Sequence, residues 1–341
     1  MPYLIAELSA NHNGSLDNAL ELVHLAKESG ADAVKLQTYT ADTLTLDCDN
    51  EYFRIGGGTL WDGTTLFKLY QRAYTPWEWH KAIFDEAAKL GLDCFSAPFD
   101  ETAVVFLEQF DPPFTKVASF ELTHHPLLRA IAKTRRRVIL STGMASLQEI
   151  EEAIVVLRES GCPDITLLKC TSSYPAPPEE ANLARLPDMA QRFGVHVGLS
   201  DHTMGIAVAV AAVALGATVI EKHLCRSRNE PGPDSAFSLE PDEFREMTEA
   251  VRIAAQAIGT ATYERTAAER KSLVFRRSIF AVQDIAKGGL LTPENIRIIR
   301  PGYGLAPSAW DQTVGKLAST FIQRGTPLAE AMIAGSAESS P

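Results

Sequence analysis

Two histidines close two successive apolar runs of the chain. VHVGLSDH ends at His202, and VIEKH ends at His223, with an alanine-rich segment between them. Imidazole is the commonest protein ligand for borderline divalent metals such as Mn, Fe, Co and Zn. The tips of two neighbouring strands lie roughly 5 Å apart, so the two rings could converge on one ion. Two histidines without a carboxylate or thiolate make an open site, with room for water and substrate oxygens. Such a site suits Lewis-acid chemistry rather than structural support. Two hydrogen-bonded histidines with no metal satisfy the same spacing.

Other polar groups recur at the ends of short β-rich runs. Glu7 ends the first. Lys35 and Gln37 lie in the second, Ser96 in the third, and Lys116, Ser119 and Glu121 in or just after the fourth. Ser141 and Thr142 end the fifth, and Lys169, Thr171, Ser172 and Ser173 the sixth. Ser200 and Asp201 precede His202, and Glu221 and Lys222 precede His223. Singly, a serine here caps the next helix and a lysine reaches to solvent. Together, lysines and hydroxyls at one end of a strand set make an anion site for phosphate or carboxylate. His24, His80, His124, His125 and His196 read as surface or loop residues. His12, in ANHNG, lies beside the site without a clear role.

The elements that would position these groups alternate along the chain. The β-rich runs are YLIAEL, AVKLQTY, DCFSAPF, FTKVASF, RVILSTG, DITLLKC, HVGLSDH and VIEKHL. Amphipathic helical stretches separate them. One starts at Ser15 as N-cap and closes at Gly30; another carries a Ser146–Glu149 capping box and closes at Gly161. The last lies near PDEFREMTEAVRIAAQAIG. Eight such units within roughly 260 residues predict a (β/α)8 barrel, the TIM-barrel architecture, whose active site lies at the C-terminal ends of its strands. A doubly wound sheet would show fewer strands, and no GxGxxG follows the first one. Thr40–Thr75 reads as a long insertion, a loop or hairpin near the active face. The pattern stops after Gly259. Residues 1–260 are thus the expected barrel, 261–277 a linker or isolated helix, and 278–335 a small β-rich domain. Within that domain TPEN reads as a helix start with Pro293 at N1. The end, AGSAESSP, reads as disordered.

Composition bounds the function classes. A chain of 341 residues, 45% hydrophobic and 22% charged, is that of an ordinary globular protein. Its net charge of −11 argues against general nucleic-acid binding. An anionic substrate would therefore be held by local lysines and backbone amides, against the overall field. The five cysteines are scattered and form no CxxC pair, which fits free thiols in a reducing compartment. No apolar run is long and clean enough to span a bilayer, and the first residues show no signal-peptide pattern, so a cytoplasmic protein is expected.

The ordered motifs AELSANHNG, VKLQTY, KVASFE, LSTGMAS, LLKCTSSYP, VGLSDHT, EKH and GPDSAFSLEP resemble the sialic acid synthases. The tail, RRSIFAVQDI through RPGYG, resembles that family's SAF (antifreeze-like, β-clip) domain. The resemblance covers nearly the whole chain and implies condensation of phosphoenolpyruvate with an N-acetylated sugar. LWDGTTLFKLYQRAYTPWEWH, GPDSAFSLEP and SFE (Ser119–Glu121), where neuraminate synthases usually have SGE, are most similar to the branch that makes pseudaminic acid. The implied sugar is a 2,4-diacetamido-2,4,6-trideoxy-altrose, with Phe120 reshaping its pocket. The implied product serves bacterial flagella or surface polysaccharides.

Carried onto this sequence, the resemblance implies that Lys35, Lys116, Ser119, Ser141, Ser172 and Ser200 hold phosphoenolpyruvate. It implies a divalent metal at His202 and His223, commonly Mn2+, with Mg2+ or Co2+ as alternatives. Glu7 would be the acid/base group. Gln37, Phe120, Glu121, Tyr174 and Asp234 would meet the sugar. Arg300 would reach into a partner subunit's barrel, which requires a homodimer with exchanged SAF domains. Two positions depart from neuraminate synthases: Ser172 stands where they have Asn, and Ala97 where many have Thr. The rival functions are N-acetylneuraminate or legionaminic acid synthesis by the same chemistry, another phosphoenolpyruvate aldol synthase, and a non-catalytic sugar- or anion-binding barrel. The SAF tail counts against the second. Acid/base and metal groups together count against the third.

Overall fold

The computed structural model describes residues 1–58 and 60–334; Thr59 and the residues from Gly335, which include most of the end expected to be disordered, lie outside the described residues. Contacts divide the chain into two units, Met1–Gly259 and Thr260–Pro341.

The first unit alternates strand and helix. Its strands are β1 (Tyr3–Glu7), β2 (Ala33–Thr38), β3 (Asp93–Pro98), β4 (Phe114–Val117), β5 (Arg137–Ser141), β6 (Ile165–Cys170), β7 (His196–Asp201) and β8 (Val219–His223). Its helices are α1 (Leu16–Glu28), α2 (Ala41–Leu44), α3 (Leu66–Ala73), α4 (His80–Lys89), α5 (Glu101–Leu107), α6 (His125–Lys133), α7 (Leu147–Glu159), α8 (Arg185–Phe193), α9 (Ala207–Ala214) and α10 (Pro241–Ile258). All eight strands are parallel, in the order β3-β2-β1-β8-β7-β6-β5-β4. With β3 and β4 side by side at the seam, the sheet is a near-closed (β/α)8 barrel.

Local chemistry accounts for the helix ends. The Ser15 side chain accepts from the Asn18 amide at the start of α1, and Ser146 and Glu149 form a reciprocal capping box at the start of α7. Gly30 and Gly161, one residue past the C-caps, have φ of +83° and +96°, which glycine adopts without strain.

Strand alternation sorts the side chains into two cores. Leu4, Val34, Leu36, Val138, Leu140, Leu167, Val197, Leu199 and Ile220 pack outward into the helix-facing core. Ile5, Ala33, Phe95, Ile139, Leu168 and Val219 form a separate layer inside the barrel. β7 contributes no side chain at that level. A Cβ on Gly198 would stand 2.4 Å from the Val219 carbonyl oxygen and 2.7 Å from Leu168 Cδ2. Two residues further along the same strands, on the same face, stand Glu7, Lys35, Ala97, Ser141, Cys170 and Glu221, all buried.

The Thr40–Thr75 insertion is more helical than expected. It holds α2, α3 and one antiparallel bridge between Arg54 and Thr65. Trp61 Nε1 donates to the Pro233 carbonyl at 3.0 Å. His80 is a correction: it is fully buried at the start of α4, with Nε2 2.7 Å from Thr38 Oγ1 and Nδ1 3.2 Å from the Pro76 carbonyl. Burial pushes its pKa down to about 4, so it is a neutral core histidine. Ser96 belongs to the same cluster, 2.6 Å from Thr38 Oγ1, and faces the helices rather than the barrel mouth.

The second unit has an antiparallel pair, β9 (Ser278–Ala281) and β10 (Ile296–Ile299), with single bridges elsewhere, and packs around Ile279, Ile285, Leu291, Ile296, Ile322 and Leu328. The segment 261–277 lies in this unit and contains α11 (Ala267–Ser272), which opens on a Thr266–Glu269 capping box. TPEN starts no helix. Its residues turn, with Asn295 N donating to the Thr292 carbonyl at 3.1 Å, and β-branched IRII leads straight into β10. Among the described residues, no helix is long and apolar enough to cross a membrane.

Candidate active site

A cavity of about 420 Å³ opens at the C-terminal ends of the strands. Its floor is the second inward layer of the barrel, where Lys35, Lys116, Ser141, Cys170, Ser200 and Glu221 all reach the cavity. Glu7 lies fully buried beside Lys35, with Nζ to Oε2 at 2.7 Å, and Glu221 Oε1 is 3.5 Å from the same ammonium. Ser200 Oγ donates to Glu221 Oε1 at 3.1 Å, and Gln37 Nε2 donates to Glu7 Oε1 at 3.0 Å.

The two carboxyls part company electrostatically. Burial raises the Glu7 pKa despite the pull of Lys35. Burial also works against the charge on Glu221, but Lys116 and Lys35 outweigh it and hold that carboxyl below its usual range. Glu221 is thus the standing anion of the floor and Glu7 the carboxyl better able to carry a proton.

Lys116 Nζ donates to Ser141 Oγ at 2.7 Å and to the Val117 carbonyl at 2.9 Å. Ser119 and Ser172 stand close by around Gly143. A Cβ there would meet Ser119 Oγ at 2.6 Å and Ser172 Oγ at 2.7 Å. The Ser172 hydroxyl is buried with no hydrogen-bond partner. Such an orphan beside a lysine and two further hydroxyls fits an anionic group.

The histidines meet as the strand ends required. The His202 and His223 rings are 5.3 Å apart, centroid to centroid. His202 Nδ1 lies 3.0 Å from the Thr171 carbonyl. A carbonyl only accepts, so Nδ1 carries a proton; burial works against charge on the ring, but Cys170 and the Thr171 carbonyl outweigh it and raise the His202 pKa. His223 Nδ1 is buried without a partner, and burial, His202 and Lys35 hold its pKa well below the usual value. Two adjacent imidazoles are the donor set a borderline divalent cation needs; at His202 the cation would compete with a proton. No group of three or more His, Cys, Asp or Glu is placed to hold a metal among the described residues, so a cation here would keep open positions.

The outer part of the cavity is mixed. Gln37 Nε2 donates to Ser9 Oγ at 3.1 Å, and Ser9 Oγ donates to Asp234. Tyr174 packs on His202 at 4.5 Å, on Phe237 at 5.1 Å and on Trp61 at 5.7 Å between ring centroids. Glu121 lines the cavity with Oε2 unpartnered, and burial pushes its pKa up to about 7 against the pull of Lys116. Phe120 is 63% exposed at the rim. The insertion supplies an apolar wall of Leu44, Ile55, Trp61, Leu66 and Leu69.

Of the expected residues, the first unit thus gathers Lys35, Gln37, Lys116, Ser119, Phe120, Glu121, Ser141, Tyr174, Ser200, His202, His223 and Asp234 around one cavity. Glu7 lies beneath it, and Ser172 beside it. Arg300 lies in the second unit, exposed just after β10. Two lysines read as facing the mouth do not. Lys169 Nζ donates to the Cys170 carbonyl and to Thr171 Oγ1, both at 2.8 Å. Lys222 pairs with Asp201 on the outer side of β7 and β8. His12 is buried against Trp79, and burial holds its pKa near about 4, so it is a neutral packing residue. Ser9 and Cys170 were missed as cavity residues, and Glu221 was read as a strand-end polar group without a role of its own. Strand parity could have found them, since each lies two residues from an inward-facing site residue: Glu7, Ser172 and His223.

A sequence model of the NeuB family matches residues 22–263, and one of the SAF domain matches residues 276–334. The chain belongs to the NeuB family. It is 45% identical over 328 residues to a pseudaminic acid synthase of Campylobacter jejuni, covering 96% of this chain and 95% of that one. It is 37% identical to an N,N'-diacetyllegionaminic acid synthase of Legionella pneumophila, over 96% and 93% of the two chains. Among solved structures, the N-acetylneuraminic acid synthetase of Leptospira borgpetersenii superposes with a TM-score of 0.71 at 29% identity, covering 80% of this chain and 90% of that one.

Proposed function

We propose that this chain is a pseudaminic acid synthase. It condenses phosphoenolpyruvate with 2,4-diacetamido-2,4,6-trideoxy-β-L-altropyranose and water, giving pseudaminic acid and phosphate. The observation that carries the chemistry is the juxtaposition, in and beneath one cavity, of a lysine- and serine-lined floor, a pair of adjacent histidines and a carboxyl of raised pKa. The choice of sugar is supported by the higher identity to the Campylobacter enzyme and by the apolar wall of the insertion. That wall favours the methyl ends of a deoxygenated, N-acetylated sugar over hydroxyls.

Phosphoenolpyruvate would lie on Lys35, Lys116, Ser119, Ser141, Ser172 and Ser200, which offset its phosphate and carboxylate charges. Gln37, Phe120, Glu121, Tyr174 and Asp234 would orient the open-chain sugar, bringing its aldehyde carbon against C3 of the enol. A divalent cation held by His202 and His223, most simply Mn2+, with Mg2+ or Co2+ as alternatives, supplies polarisation of the aldehyde when bound. The new bond joins C3 to the aldehyde carbon, and water adds at the resulting C2 cation. The tetrahedral carbon then releases phosphate by C–O cleavage. Glu7 moves the proton, from the entering water or to the new hydroxyl. The enzyme would work in the cytoplasm as a homodimer with exchanged SAF domains, each Arg300 meeting an acetamido group in its partner's barrel. Arg300→Ala should then raise KM for the sugar and leave KM for phosphoenolpyruvate unchanged.

The test is phosphate release and product mass with phosphoenolpyruvate, Mn2+ and three sugars in parallel: the trideoxy-altrose diacetamide, N-acetylmannosamine and the legionaminic precursor. Turnover with the first alone is the expected result. Turnover with another sugar alone overturns the specificity, and silence with all three in folded protein overturns the reaction.

A further inference from the structure

Lys222 and Asp201 face away from the cavity and take no part in the chemistry above. Their position is nonetheless unusual. Asp201 immediately precedes His202, Lys222 immediately precedes His223, and the β7–β8 ladder sets the two directly opposite each other. Their side chains are 1% and 0% exposed, with Nζ 2.6 Å from Oδ2. The same ammonium donates to the Thr203 carbonyl at 2.5 Å. Asp201 Oδ1 in turn accepts from the Thr203 amide at 2.9 Å and from Thr203 Oγ1 at 2.8 Å. One buried ammonium therefore grips the residue before His202 and the residue after it, while its own backbone leads into His223. The histidine carbonyls are tied as well, His202 to the Ala176 amide and His223 to the Leu239 amide, each at 2.9 Å.

Stability alone does not account for this arrangement. Two apolar side chains of similar volume would fill the space between β7, β8 and the helices without desolvating two charges, and buried ion pairs often do no better than such replacements. Fixed geometry is what a hydrogen-bonded pair adds.

We infer that Asp201 and Lys222 are positioning residues that set the separation and aim of His202 and His223 for a divalent cation. The inference rests on the metal-dependent reading of the site. Partners one shell out from metal ligands commonly tune affinity by about 10- to 100-fold.

The experiment measures Mn2+ binding to the full chain by electron paramagnetic resonance of the free ion, with thermal melting alongside. Three proteins are compared: wild type, the charge-neutral pair Asp201→Asn/Lys222→Met, and Lys222→Arg. The paired variant should bind Mn2+ about 10- to 100-fold more weakly and regain turnover at raised Mn2+, so that the half-saturating metal concentration shifts more than kcat. A lowered melting temperature with wild-type Mn2+ affinity would show a merely structural pair and overturn the inference. Should the paired variant not fold, Lys222→Arg decides. It keeps the buried charge paired with Asp201 and should therefore fold, but its planar head cannot reproduce the single-point contact to Asp201 and Thr203, so it should bind Mn2+ several-fold more weakly; unchanged affinity overturns the inference. Wild-type protein that binds no Mn2+, Co2+ or Mg2+ would overturn the metal reading itself, and this inference with it.

Discussion

Gly143→Ala probes the hydroxyl cradle through a residue that has no side chain of its own. Gly143 holds φ at +33°, a region L side chains rarely adopt, and a left-handed backbone costs a non-glycine residue about 1–2 kcal/mol. The new Cβ would stand 2.5 Å from Ser119 Cβ. Non-bonded carbons rest at about 3.5–4.0 Å, so one side must retreat by roughly 1 Å. Ser119 Cβ is fixed to its backbone, and no rotamer change relieves the contact. Overpacking of this kind costs about 1–3 kcal/mol. Together the two costs come to about 2–5 kcal/mol, or a melting temperature lower by about 4–20 °C for a unit of this size. The same displacement moves the Ser119 and Ser172 hydroxyls away from the anion. Loss of one hydrogen bond to a charged group, about 1.5–3 kcal/mol, raises KM for phosphoenolpyruvate by about 10- to 100-fold. Thermal melting, and phosphate release at saturating sugar and metal, measure the two effects. A variant that melts within about 2 °C of wild type and keeps its KM would refute both the crowding argument and the cradle.

Glu7→Gln preserves shape and hydrogen bonding to Gln37 but cannot carry the proton. It should lower kcat by about 10²–10⁴-fold, with little change in KM for phosphoenolpyruvate; near-normal turnover would remove Glu7 from the proton transfer. Glu121 gives a pH signature. Burial raises its folded pKa from 4.5 to about 7, so the stability it contributes is complete below about 4.5 and is lost as pH rises through about 7. Relative to wild type, Glu121→Gln should therefore gain melting temperature between pH 5 and pH 8, and parallel melting curves would contradict the assignment. Chelation should abolish phosphate release and added Mn2+ restore it, whereas His223→Ala should show no saturable Mn2+ binding in a titration. Full activity in chelator would contradict the metal reading.

The strands and the main helices were legible because their periodicities are local. YLIAE, AVKLQT and VIEKH are short apolar runs, and Ser146–Glu149 caps its helix within four residues. The meeting of His202 and His223 followed from strand-end placement, since successive strands of a parallel barrel are neighbours. Other features depended on tertiary structure. Lys116 and Lys169 look alike in sequence, each one or two residues from a strand end, but inward and outward faces alternate residue by residue. Only the packing of Ile139, Leu168 and Val219 inside the barrel settles which face is which. Lys116 thereby reaches the cavity, while Lys169 and Lys222 turn outward to carbonyls and to Asp201. His80 joined the core because Thr38, distant in sequence, offered it a partner and itself bonds Ser96. TPEN turned rather than coiled because β10 had β9 to pair with. Burial raises the Glu7 pKa while Lys116 and Lys35, on other strands, hold Glu221 down, and both effects act through space. Residue types and spacing determined which chemistry the chain could support; long-range packing decided which copies of each residue type perform it.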